Sequence, residues 1–252
     1  MLGRQYSRGH PLYFALALAA KMPVALQLLL VMGFVCVCLR LRRGQLDPTD
    51  LFWLAPPVLC IFPASLSALQ LGVRLVLPAL PFGLVLAGCA IKSLLHGRRQ
   101  IVLVLLEAGV AVESLRIFPH GISFFNLWVG GADNGLKYLV DSNLDWGQDL
   151  RLLRKRFDQL GIGKLRLSYF GTDNPWSYFT DKKLELIPPP WNDALAGGRR
   201  VLELQPGYYA ISASLLPGHF FEPQYRLYYR CFLEMKPVAK AGYSIFIHRV
   251  EP

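Results

Sequence analysis

Charge is scarce in this chain: Asp, Glu, Lys and Arg make up 17% of its 252 residues, whereas 53% are hydrophobic and the mean hydropathy is +0.33. That balance excludes an ordinary water-soluble globular protein and makes a membrane the first environment to test. Acid is scarcer than base, 17 Asp and Glu against 27 Lys and Arg, for a formal net charge of +10. A basic excess can serve nucleic acid, but here the cations sit in short clusters, Arg40-Leu41-Arg42-Arg43 and Lys92 to Arg99, between apolar runs. That is how membrane loops are built, so no nucleic-acid partner is expected. Of the five cysteines, Cys36, Cys38, Cys60 and Cys89 lie inside apolar runs, and Cys231 stands alone in the polar half, which excludes a disulfide framework. Cys36 and Cys38, two apart, face different sides of a helix and read as small packing residues. His120, His219 and His248 lack metal-ligand spacing, and no nucleophile elbow, phosphate-cradling glycine loop or CxxC motif occurs. Neither an internal repeat nor a low-complexity segment is found.

Long apolar runs are what the first half has in quantity. Residues 1–20 carry Arg4 and Arg8 and the short stretch LYFALALAA, which superficially matches a signal peptide but leads straight into a longer run; they are expected as an external loop or interfacial segment. The transmembrane region is expected over 21–118. Its first span, 22–39, is just long enough to cross a hydrocarbon core of roughly 30 Å at about 1.5 Å per residue. Pro23 suits a first helical turn, and Lys21 can snorkel to the interface. The second span, 51–73, contains Pro56, Pro57 and Pro63 and is expected to be kinked or broken. The third, 75–91, has Pro78 and Pro81 near its start, with Gly83 and Gly88 permitting close helix packing. The fourth, 101–117, is interrupted by Glu107 and Glu113; such acids either make polar contacts inside the bundle, sit at the interface, or serve a function.

Orientation follows from the basic loops. Arg40 to Arg43 and Lys92 to Arg99 should both be cytoplasmic, which puts Arg74 and everything after residue 118 on the other side. Residues 119–252 are therefore expected as an extracytoplasmic α/β domain, hung from an all-α membrane bundle of about four helices. Phe124, Phe125 and Trp128 are plausible interfacial anchors. Strands are expected at 138–140, 164–170, 207–212 and 243–250, and a helix from Asp149 to Gly161, where Leu150, Leu153, Phe157 and Leu160 recur at helical spacing. A right-handed crossover from 138–140 to 164–170 would make those two strands parallel.

The one polar cluster that could carry chemistry is Tyr138 to Asp149, YLVDSNLDWGQD. Asp141, Asn143, Asp145 and Asp149 put oxygen ligands at spaced positions, as at the start of a calcium loop. Trp146 stands where such a loop needs glycine, however, and Leu152 where it needs the bidentate glutamate, so a divalent cation is only a weak alternative to no cofactor. Asp141, Asn143, Asp145, Trp146 and Gln148 also suit sugar recognition, by hydrogen bonds to hydroxyls and stacking on a ring face. The plainest reading is that Asp141 and Asp145 bind backbone N–H groups and cap the helix that follows.

Several stretches together resemble the carboxy-terminal half of bacterial polyprenyl-phosphate-dependent glycosyltransferases of the GT-C type, related to protein O-mannosyltransferases and aminoarabinose transferases (glycosyltransferase family 39-like). They are GRQYSRGHPLYF with AKMP, LQLGVRLVLPALPF with LAG, FPHGISFFNLWVGGADNGLKYLVDSNLDWGQDL, LSYFGTDNP, PGYYAIS and GYSIFIHRV, and they cover almost the whole chain. The resemblance implies transfer of a sugar from a polyprenyl-phosphate donor to an acceptor at the outer face of the cytoplasmic membrane, as in protein glycosylation. Lys21 and Arg74, at the expected outer interface, become candidates to hold the lipid phosphate by charge-assisted hydrogen bonds. In the family the GVR stretch commonly continues with His, and here Leu75 takes that place. The family's catalytic acid lies on an earlier external loop that these residues do not contain, so no catalytic residue is assigned among Glu107, Asp141 and Asp145. The chain reads as a fragment, incomplete for catalysis alone, with a separately encoded amino-terminal half as a possible partner. The alternative is a non-catalytic, membrane-anchored glycan-binding or partner subunit.

Overall fold

The computed structural model describes residues 9–45, 47–95, 97, 99–179 and 183–252; Arg4, Arg8 and, in the second basic loop, His96 and Arg98 lie outside the described residues. The chain divides into two units, one reaching to Tyr138 and one from Leu139 to Pro252.

The first unit is helical because its apolar runs lack the polar alternation of strands. Its long elements are α1 (Tyr13–Lys21), α2 (Val24–Arg42), α3 (Pro48–Leu66), α4 (Leu80–Leu94), entered through a 3-10 turn over Val73–Ala79, and α5 (Arg99–Ile117). Among the described residues, three segments are long and apolar enough to cross a membrane: Val24–Arg42, Pro48–Leu66 and Val73–Lys92. The expected fourth, α5, is a 19-residue helix, but Arg99, Glu107, Glu113 and Arg116 keep it out of that class. Helix α3 runs unbroken through Pro56, Pro57 and Pro63, where a kinked or broken helix was expected. It starts at Asp47, which accepts from the Thr49 N–H (3.0 Å) while Asp50 reaches back to the Asp47 N–H (3.2 Å), a reciprocal cap. Asp50, buried, also pairs with Arg40 at 2.7 Å, so the first basic loop is partly neutralised at its base.

Among the described residues, helices α2 and α4 make the most extensive helix–helix contact of this unit. Gly33 is the reason: a methyl there would collide with the Leu86 carbonyl. Gly83 has only the Leu30 side chain near, and Gly88 faces open space, so the glycine that permits the approach lies on the helix where none was expected to matter.

The second unit carries a five-stranded mixed sheet, β1 (Leu165–Ser168), β2 (Leu184–Leu186), β3 (Gly207–Ser212), β4 (Ala239–Ala241) and β5 (Ile245–Val250), in the order β2-β1-β3-β5-β4. β1 is parallel to both β2 and β3; β5 is antiparallel to β3 and β4. The expected strand at 138–140 does not form. A short helix α6 (Gly135–Tyr138) ends there, and Asp141 takes a left-handed φ of 60°, so no ladder can continue. An apolar triplet cannot by itself be told from a buried helical turn. The parallel partners of β1 are instead β2 and β3.

Helix α7 (Leu150–Gln159) forms as the spacing requires and lays Leu150, Leu153 and Phe157 on Leu165, Leu167, Ala210, Ile245 and Ile247. Each such side chain contributes roughly 1.5–3 kcal/mol by leaving water. The other sheet face carries Arg166, Ser168, Tyr209, Ile211 and His248 by strand alternation and is covered by aromatics near the short helix Arg230–Glu234: Phe232 lies 5.3 Å from Tyr209 and 5.0 Å from His248, centroid to centroid.

Candidate functional site

The polar cluster of the sequence becomes a loop at the carboxyl edge of the parallel strands. Asp141 to Asn143 form one 3-10 turn, and Asp149 precedes α7 without bonding it through its side chain. The Asp141 N–H donates to the Ser214 hydroxyl (3.1 Å), just past the end of β3. Asp145, fully buried, accepts from the Gly147 N–H (2.9 Å) and from the Ser214 N–H (3.3 Å). Asp149, also buried, accepts at one oxygen from the Tyr243 N–H (3.3 Å), the Ser244 N–H (3.2 Å) and the Ser244 hydroxyl (2.8 Å), just before β5. Asp145 thus does bind backbone N–H groups, but those of its own turn and of the β3 exit rather than of α7.

Two glycines let this loop meet the segment after β1. Gly147 (φ 76°) and Gly171 approach so closely that a Cβ on Gly147 would lie 2.9 Å from the Gly171 Cα, and the Tyr169 hydroxyl donates to the Gly147 carbonyl at 2.7 Å. The Phe170 N–H donates to the Ser212 hydroxyl (3.0 Å), and Phe170 stacks on Phe220 at 5.5 Å. The loop therefore stands outside the carboxyl ends of β1 and β3, where open α/β sheets hold their ligands.

Burial sorts the expected sugar-binding residues. Asn143, Asp145 and Asp149 are inside; the Trp146 indole is 54% exposed and Gln148 is exposed beside it. Gln148 closes the turn, accepting from the Trp146 N–H (2.7 Å) and donating to the Leu144 carbonyl (3.1 Å). Burial pushes the Asp145 carboxyl up to about 7, with the neighbouring Asp149 charge adding to it and the Gly147 and Ser214 donors opposing. Among the described residues, no three His, Cys, Asp and Glu side chains gather as a metal-holding group.

The first unit holds the two expected phosphate contacts. Lys21 ends α1, donates to the Ile122 carbonyl at 2.8 Å and stands 4.6 Å from the centre of the Phe125 ring. Arg74 is exposed in the 3-10 turn 73–79, which packs against α1. Around Lys21 the backbone ends are tied by Asn126, which sequence reasoning missed, and by Glu113, for which a polar contact inside the bundle was among the expectations. Asn126 donates to the Ala19 (2.6 Å) and Met22 (2.8 Å) carbonyls, the last acceptors of α1. Glu113 of α5 accepts from the Val24 N–H (2.8 Å), the first donor of α2, and from the Leu127 N–H (3.4 Å). An acid at a helix start is favourable through both the orphan donor and the helix dipole. Glu107 lies on the exposed side of α5.

Ser214, Tyr243, Ser244 and Tyr169 escaped sequence reasoning as members of the loop's surroundings. The only available signal was the pair of aromatic-glycine steps, Trp146-Gly147 and Phe170-Gly171, that the structure brings together. No family model, no curated protein and no solved structure matches the chain.

Proposed function

We propose that this chain is the membrane-embedded and aqueous-platform part of a GT-C type glycosyltransferase, working with a polyprenyl-phosphate sugar at the outer face of a cytoplasmic membrane. The observation that carries the reading is the loop 141–149 at the carboxyl edge of β1 and β3, presenting Trp146 and Gln148 to solvent on a rigid base of buried carboxylates. The resemblance over Phe118 to Leu150 adds the lipid donor, and Lys21 and Arg74 are the residues assigned to its phosphate.

This reading needs four crossings, since three would leave residues after 118 on the side of the basic loops. The packing of α5 supports the fourth. Glu113, near its end, meets the start of α2; Gly109 lies against Ala25, and Leu103 shares a cluster with Leu29. These contacts run antiparallel along the first turns of α2, from Val24 to Leu29, and are what favours a fourth crossing.

The second reading, glycan binding without turnover, gains from one observation: both Asp145 oxygens and one Asp149 oxygen are already taken up by backbone and Ser244 donors. One experiment tests both. The full chain, reconstituted in proteoliposomes, is titrated with a polyprenyl-phosphate hexose and assayed for transfer, with Lys21→Ala and Arg74→Ala alongside. Donor binding weakened tenfold or more in the variants, without turnover, is expected. Unchanged binding in both variants rejects the phosphate assignment, and a Gly171 reporter found in the cytosol rejects the topology.

A further inference from the structure

A cleft of about 360 Å³ opens in the second unit, on the sheet face away from α7, between the β1–β2 edge and the segment 194–205 that follows it. That size is at the lower end of small-molecule sites, about 300–1,000 Å³. It belongs to neither the loop 141–149 nor the lipid-phosphate residues. Its polar wall is built from paired charges. Arg166, its side chain only 14% exposed, lies 3.3 Å from Glu185, donates to the Gln205 amide oxygen (2.7 Å) and the Pro206 carbonyl (3.2 Å), and packs on the Tyr209 ring. Arg199 pairs with Glu203 at 3.5 Å. The facing wall is aliphatic, with Leu186, Pro188 and Leu195.

Tyr228 is the telling residue. It is 4% exposed, yet its hydroxyl makes no hydrogen bond among the described residues, and it lines the cleft near Arg199 and Glu203. The ring is buried but the hydroxyl is no enclosed orphan: it opens on the cleft, where water or a ligand hydroxyl can meet it. Each guanidinium in the wall already has a carboxylate, so an anion would have to displace one. What the wall offers instead is alternating donors and acceptors of no net charge, beside an apolar strip that suits the C–H face of a ring.

We propose that this cleft binds a neutral saccharide unit, with the Tyr228 hydroxyl, Glu203 and Gln205 as hydrogen-bonding groups and the Leu186–Pro188 strip under the ring. The site is independent of the transfer reaction proposed above. The test uses the full chain in lipid nanodiscs, free of sugar-headed detergent. Saturation-transfer NMR and titration are run with methyl α-mannoside, methyl β-glucoside and N-acetylglucosamine, and with inorganic phosphate and an extended tripeptide as competing classes. At least one glycoside should bind, weakened about three- to tenfold by Tyr228→Phe, which removes one hydrogen bond and keeps the ring, and abolished by Leu195→Trp, which fills the cleft. Trp146→Ala should leave it unchanged, so that failure here and failure of the loop reading are separable. Absence of glycoside binding, tighter binding of phosphate or peptide, or binding indifferent to both cleft variants would each overturn the proposal.

Discussion

The two units of this molecule are built inside out relative to each other. In the sheet unit Leu150, Leu153, Phe157, Leu165, Leu167, Ile245 and Ile247 are buried in one cluster under α7. In the helical unit the apolar side chains mostly point outward. Only 17%, 6% and 28% of the three span windows is buried, while Val31, Phe34, Phe52, Leu59, Phe62, Val104, Leu105 and Leu115 are exposed. Burial from water favours the first core, whereas the helical unit has a small cluster of Leu29, Ala87, Ala90, Leu94 and Leu103 and its three span windows bury little of their own apolar surface. What holds the helices together is therefore local: a glycine contact, a few buried polar bonds, and caps. The sheet unit likewise uses buried acids, but on top of a core that already favours the fold.

That contrast can be broken from either side. The largest effect is expected from Asp149→Ala, which strips acceptors from two N–H groups and one hydroxyl in a buried site. Loss of about 3 kcal/mol or more from the sheet unit is expected, read as faster amide exchange across residues 139–252 with helix protection unchanged; equal loosening of both units would refute their separateness. Next comes Gly33→Ala, where overpacking against the Leu86 carbonyl should cost about 1–3 kcal/mol in the helical unit alone, measured as thermal unfolding in nanodiscs. Glu113→Ala should cost about 1–2 kcal/mol there by orphaning the first N–H of α2; restoration by Glu113→Gln, whose amide oxygen still accepts, would separate cap from charge.

A smaller, pH-dependent signal lies in the sheet unit. His248, buried with both ring nitrogens unpartnered, has its pKa pushed down by burial to about 4, so its contribution is full above about 6.5 and is lost as pH falls toward 4. Asp145 runs the other way. With its carboxyl raised to about 7, its contribution is full below about 4 and is lost as pH rises through 7. The two slopes oppose each other between about pH 4 and 6.5, each at most about 1.4 kcal/mol per pH unit. His248→Phe should therefore leave a sheet unit whose stability falls as pH rises across that window, and Asp145→Asn one whose stability rises. Denaturant midpoints that respond to pH alike in both variants would remove one of the two groups from the account. The least effect on stability, within about 0.5 kcal/mol, is expected for exposed Trp146→Ala, which makes it the clean probe of ligand binding at the loop.

Much of this was legible in the chain itself. Apolar runs of membrane length, the helix 150–159 with its three-residue stripe, and strands at 165–168, 207–212 and 245–250 all follow from hydrophobic period, because burial on one face imposes that period locally. Strands β2 and β4 were not legible, being three residues each and stabilised by neighbours rather than by their own pattern. For the candidate site, Asp141 to Asp149 announced itself by composition, but composition could not say which carboxylates face solvent. Asp145 and Asp149 reach across to donors 69 and 95 residues further along the chain.

By itself, then, the sequence determined which segments are long and apolar enough to cross a membrane, where α7 and the main strands lie, and that one polar loop joins the two kinds of structure, since each of these depends on side chains within a few residues of one another. Only the tertiary structure decided that Gly33 rather than Gly88 sets the helix approach, that Glu113 caps α2, that the loop's acids turn inward, and that Tyr228 opens on a cleft. Those outcomes depend on which distant backbone ends arrive unpaired at the same place, and no local pattern encodes that meeting.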